Sequence, residues 1–132
     1  MGTRSITRVK NEKGAIVVEI YKQYDGYPKG LGGELVAFCK SGKMTNGIPA
    51  GSTEKLFNGM GCFSAQLIAH LKKGVGEIYL EAPSPKNKSP KYFADKYYAE
   101  YVYEIGKDLK VHCWDAHDEK EVDLYDDEKM TF

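Results

Sequence analysis

At 132 residues the chain has the length of one domain with a single sizeable core. Apolar residues make up 42% and charged residues 29%, both in the globular range, and no apolar run approaches the ~20 residues that a bilayer crossing needs, so no membrane partner is expected. Net charge is zero but unevenly spread: Asp115 to Phe132 holds eight acids and two bases, net −6, which leaves the preceding 114 residues at net +6. A basic body with an acidic tail favours an anionic ligand or partner for the body, unless the tail only solvates the end of the chain.

In chain order, Thr3 to Val9 is polar but strand-forming. It sets Thr3, Ser5, Thr7 and Val9 on one face and Arg4, Ile6 and Arg8 on the other. Asn11-Glu12-Lys13-Gly14 is a hairpin turn, and Ala15 to Gln23 is the returning strand. Leu31, Leu35, Phe38 and Cys39 make the apolar stripe of a first helix, ended by Ser41-Gly42. Residues 43–52 hold Asn46-Gly47, Pro49 and Gly51 and read as loop. A second helix runs from about Gly61 to Lys73 on Met60, Phe63, Leu67 and Leu71, with Lys72-Lys73-Gly74 as its end. Glu77 to Glu81 is a short strand. Ala82 to Phe93, with Pro83, Pro85 and Pro90, reads as an exposed basic loop. Tyr97 to Ile105 alternates as a strand, Gly106-Lys107-Asp108 turns it, and Leu109, Val111 and Cys113 face the core on the next.

The order ββααβββ predicts a single α+β domain over residues 1–116. Its antiparallel sheet has about five strands and two helices packed on one face, and an acidic tail covers 117–132. Val122 to Tyr125 is either a short edge strand or part of that tail. Cys39, Cys62 and Cys113 are odd in number and lie in apolar patterns, which points to free core thiols and a cytoplasmic setting.

The best site candidate is the corner Gln23-Tyr24-Asp25-Gly26-Tyr27-Pro28-Lys29-Gly30-Leu31-Gly32-Gly33, between the second strand and the first helix. Its amides and the helix start could cradle an anion. Equally, its glycines could serve a tight turn and close packing, since the spacing is neither a dinucleotide fingerprint nor a P-loop. Arg4 shares a face with inward-pointing Ile6 and needs an anion. Asp25 is the nearest candidate, as a structural clamp, and a bound phosphate or carboxylate is the functional alternative. The candidate ligand-binding set is therefore Arg4, Gln23, Tyr24, Asp25, Gly26, Tyr27, Gly30 and Gly32. Ten tyrosines suit either stacking on a ligand or ordinary strand packing. No catalytic constellation stands out. His112-Cys113 lacks a second ligand pair, so neither a metal nor another cofactor is expected.

The start Met1-Gly2-Thr3-Arg4-Ser5-Ile6, followed by Tyr21-Lys22-Gln23-Tyr24-Asp25-Gly26-Tyr27-Pro28-Lys29-Gly30-Leu31-Gly32, resembles a family of small, largely uncharacterised proteins of bacteriophages, large DNA viruses and bacteria. These open M-[ST]-[ST]-R-[SA]-x-I or similar and carry Y-x-[HQ]-[WYF]-D-G-Y-P-x-G-x-G. The match covers about the first 35 residues, with Gln23-Tyr24 where many relatives have His-Trp. The resemblance implies a phage or mobile-element setting, in the host cytoplasm, with Arg4, Asp25, Gly26 and Tyr27 as one recurring unit. The resulting expectation is a non-catalytic, phage-type accessory protein that binds and sequesters a small anionic, nucleotide-like ligand such as a host defence signal. Its alternatives are a protein-binding inhibitor of a host factor and a small hydrolase whose site is not recognisable. Nucleic acid is not expected as a partner, and the oligomeric state is left open, with a homodimer among the options.

Overall fold

In a computed structural model that describes residues 2–85 and 88–125, Ser5–Lys10 (β1) and Ile16–Lys22 (β2) form the expected hairpin, with Thr7 opposite Ile20 and Arg8 opposite Glu19. Asn11 builds the turn: its side-chain oxygen accepts from the amides of Lys13 and Ala15, and Gly14 takes a φ of 85°. A π-helical turn, Pro28–Gly32, runs into the first helix, Gly33–Lys40 (α1), which buries Leu35, Phe38 and Cys39. The expected loop at 43–52 contains a small element. Lys43–Thr45 (β3) pairs in parallel with Leu56–Asn58 (β4). The second helix, Gly59–Leu71 (α2), buries Met60, Phe63, Leu67 and Leu71. Glu12, in the distant hairpin turn, accepts from the Met60 amide at 2.8 Å, and that bond is the main reason its carboxyl titrates below the usual range.

Ile78–Glu81 (β5) is followed by a third helix, Pro90–Tyr97 (α3), and then by Tyr101–Ile105 (β6), Val111–Asp115 (β7) and Lys120–Val122 (β8). The main sheet has the order β5-β2-β1-β6-β7-β8. Its neighbours are antiparallel except β1 and β6, which run parallel with Thr7 opposite Tyr103. The α+β class with a mainly antiparallel sheet is as expected, but the described residues form six strands in that sheet and three α-helices, and both faces are covered. Val9, Val18, Ile20, Tyr103 and Ile105 meet α1 and α2 on one face. Phe93 and Ala94 of α3 meet Val102, Trp114 and Ala116 on the other. Central β1 is accordingly buried on both faces from Ser5 to Val9.

Two sequence readings change. The stretch read as an exposed loop ends in α3, which begins with proline at its first turn and stops where Tyr98 takes a φ of 54°. Tyr97, read as the start of a strand, is the last residue of that helix. The acid-rich segment read as a tail from 117 also enters the fold. Lys120–Val122 pairs with β7, Leu124 lies in the core, and the Tyr125 hydroxyl accepts from the Val111 amide at 2.9 Å. Residues 126–132 of that tail lie outside the described residues. All three cysteines are free.

Leu124→Ala should therefore lower stability by about 2–4 kcal/mol, as for other buried leucines, and the melting temperature by roughly 10 °C. A thermal melt in which the change is silent would return 117–125 to the status of a tail. Alkaline pH gives a second test. Burial pushes the thiols of Cys39 and Cys113 up to about 12, from about 9 when unfolded. The unfolded chain thus loses these protons first, and stability should fall as pH rises from about 9 towards 12. Melts of Cys39→Ala and Cys113→Ala across that window should show a flatter decline than the parent.

Candidate functional site

The corner after β2 is held by its own backbone. The Gly26 amide donates to the Thr3 carbonyl (2.9 Å), and the Tyr103 hydroxyl donates to the Gly26 carbonyl (2.6 Å). Burial raises the Tyr103 hydroxyl well above its ordinary value, so it remains a donor. Leu31 N–H reaches the Asp25 carbonyl, Gly30 and Gly32 N–H reach the Tyr27 carbonyl, and Gly33 N–H reaches Gly30 and Pro28. Five amides that could have cradled an anion are thus engaged, four within the turn and that of Gly26 with Thr3.

The glycines serve close approach. Neither Gly26, Gly30 nor Gly32 has a positive φ; Asp25 takes that conformation, at 59°. A Cβ on Gly26 would stand 2.5 Å from Ser5 Oγ and 2.6 Å from Ser5 Cβ, one on Gly30 would stand 2.9 Å from the Tyr27 ring, and one on Gly32 3.0 Å from Leu124. The corner is pressed against the start of β1 and against the segment after β8.

The eight candidate residues do not form one site. Arg4, Gln23 and Tyr24 gather at one end of the sheet with tyrosines from three elements. Tyr21 donates its hydroxyl to Gln23 Oε1 at 2.6 Å, and its ring lies 6.4 Å from that of Tyr79 and 6.3 Å from that of Tyr97. Tyr24 is 57% exposed. The Tyr21 hydroxyl titrates above its ordinary value, chiefly through burial; Arg4 opposes the shift, while Glu100, Glu81 and Tyr24 add to it, so these groups surround it. Arg4 forms no ion pair with Asp25, whose side chain is exposed. The Arg4 amide is bonded to Glu100 Oε2 at 2.7 Å, but its Nε is buried and has no hydrogen-bond partner among the described residues.

Gly26, Gly30 and Gly32 belong to the packed corner. Tyr27 lines a separate cleft of about 410 Å³ with Thr3, Glu100, Tyr101, Asp115 and His117. This cleft is acidic: burial first, then Asp115 and Glu100 among its neighbours, raise the Tyr101 hydroxyl. An anion is disfavoured there.

Sequence reasoning missed one charged cluster under α3. Arg8 and Glu19 are both 0% exposed. Arg8 Nε meets Glu19 Oε1 at 3.2 Å, Nη1 meets Glu104 Oε2 at 2.8 Å, and Nη2 donates to the carbonyls of Ser84 and Pro85. The guanidinium lies 3.6 Å over the Phe93 ring. Glu19 also accepts from Ser84 N, Ser84 Oγ and the Tyr97 hydroxyl, the last at 2.5 Å. Both charges are fully partnered, which marks a structural cluster rather than a waiting site. The signal in the sequence was two opposite charges at facing hairpin positions, Arg8 between Thr7 and Val9 and Glu19 between Val18 and Ile20. Among the described residues, no group of three or more His, Cys, Asp or Glu could hold a metal ion, and no helix is long and apolar enough to cross a membrane.

No protein-family model matches the chain, and neither a curated protein nor a solved structure matches it.

Gly26→Ala should destabilise the fold by several kcal/mol, because the new methyl meets the Thr3 carbonyl and the Ser5 side chain. Ser5→Gly should recover part of the loss in the double variant. A melt of Gly26→Ala equal to the parent would mean that the corner is not pressed onto β1.

Proposed function

We propose that the chain binds a small anionic, nucleotide-like ligand without turning it over, at the patch of Arg4, Gln23, Tyr21, Tyr24 and Tyr79, and so acts as a phage-type accessory protein that sequesters a host defence signal. The observation that carries this reading is Arg4: a half-buried guanidinium whose Nε has no acceptor among the described residues. A buried donor without a partner costs roughly 1–3 kcal/mol, which a phosphate oxygen would remove. Guanidinium geometry matches a phosphate bidentately, and tyrosine faces of the kind clustered here stack on nucleobases. Charge limits the ligand. Arg4 stands with Glu81 and Glu100 around Tyr21, so a singly charged phosphodiester fits better than a triphosphate. The sequence resemblance to phage and viral proteins supplies the setting.

A thermal-shift titration with cyclic mononucleotides, cyclic dinucleotides and ATP tests this. A saturating phosphodiester, at about 100 times its Kd, should raise the melting temperature by about 10 °C, ATP should act more weakly, and Arg4→Gln should abolish the shift while leaving the unliganded melt nearly unchanged. No shift with any of these compounds, or an equal shift in Arg4→Gln, would overturn the reading.

A further inference from the structure

β5 is one edge of the six-stranded sheet. Gln23 N–H donates to the Glu77 carbonyl, so by antiparallel alternation Tyr79 and Glu81 turn their backbone groups towards β2, while Ile78 and Leu80 turn theirs to the open side. Ile78 is already satisfied there. Its N–H donates to the Gly76 carbonyl at 2.8 Å, and its carbonyl accepts from Lys72 Nζ at 2.9 Å. Leu80 has neither protection among the described residues, and it is 56% exposed. Beside it an apolar groove of about 360 Å³ runs between Ile68 of α2, with Lys72 just beyond that helix, and Ile78, Tyr79 and Leu80 of β5. Fully exposed Val75 adjoins it in sequence.

We infer that this edge is the seam of a homodimer, in which β5 pairs antiparallel with β5 of a second copy about a two-fold axis at Leu80. Charge selects the occupant. Lys72 closes the N-terminal end of β5, with Nζ 5.4 Å from the Tyr79 ring, and Glu81 closes the C-terminal end. A two-fold axis at Leu80 sets Tyr79 opposite the partner's Glu81, and so brings each Glu81 to the partner's Lys72. A parallel approach would set like charges together. The strand is therefore complementary to its own reversed copy, as an isologous contact requires. The two Leu80 residues exchange their free backbone bonds and cover each other's side chains beside Ile68. Because Ile78 is capped, pairing stops within a few residues, which gives a discrete dimer rather than an open fibre.

Sedimentation equilibrium of the full chain should give a species of twice 14.8 kDa at tens of micromolar. Leu80→Lys should weaken the dimer at least about tenfold with an unchanged circular dichroism spectrum. Glu81→Lys and Lys72→Glu should each be monomeric alone, yet form a heterodimer when mixed, since mixing restores both opposite-charge contacts. A wild-type chain that stays monomeric at about 200 μM, a dimer indifferent to Leu80→Lys, or no association on mixing the charge variants would overturn the assignment.

Discussion

A guanidinium with no solvent exposure decides how this sheet is covered. Arg8 lies on the central strand, on the face opposite α1 and α2, and taking its charge out of water costs several kcal/mol unless it is paired and fully hydrogen-bonded. Glu19 and Glu104, on the two flanking strands, supply the opposite charge at 3.2 and 2.8 Å. The carbonyls of Ser84 and Pro85 accept from Nη2, and Phe93 closes the plane from above. These partners come from β2, β6, the segment before α3 and α3 itself. Glu19 in turn needs donors, and Tyr97 and Ser84 provide them. The position of α3 is therefore dictated more by polar satisfaction than by apolar area: its own apolar cluster is small. Loss of one member of such a set strands the others, which is why buried pairs of this kind cost 3–5 kcal/mol to break singly.

The elements legible in the sequence are those whose signals are local. Asn11 and Gly14 announce the first hairpin, and the apolar stripes of α1 and α2 have helical spacing. What escaped depends on distant partners. α3 is short, follows two prolines and begins on a third, and carries only Phe93 and Ala94 as buried residues, so its periodicity is too brief to outweigh the turn signals before it. The parallel pairing of β1 with β6 leaves no local mark, because it joins residues ninety-six apart. β8 was hidden by composition: residues 118–123 hold four acids, one lysine and a single apolar residue, Val122, and only Val122 and Leu124 turn inward.

The corner illustrates a different limit. Seven of the eight candidate residues are neighbours in sequence, and Arg4 stands just before the paired strand, but a strand sends consecutive side chains to opposite faces and a turn then redirects the chain. Arg4 and Gln23 consequently join the tyrosine patch, Tyr27 joins an acidic cleft, and the glycines are consumed in packing. Motif density indicated correctly that the segment is demanding. It could not distinguish the geometric demand, visible in the 2.5 Å approach that a Gly26 methyl would make to Ser5, from the chemical one, visible in the unpartnered Nε of Arg4.

The central position of β1 has a consequence for how the chain is made. Both neighbours of this strand are needed to bury it, and one of them, β6, begins only at Tyr101. On the ribosome the first hairpin can close early, yet its inner edge and the face carrying Arg8 stay uncovered until α3 and β6 have left the exit tunnel. Non-local closure of this kind slows folding and leaves an open strand edge while synthesis continues. Stalled or truncated chains ending before residue 101 should thus be clients for chaperones and proteases, and the cell's supply of this protein becomes sensitive to elongation through its last third.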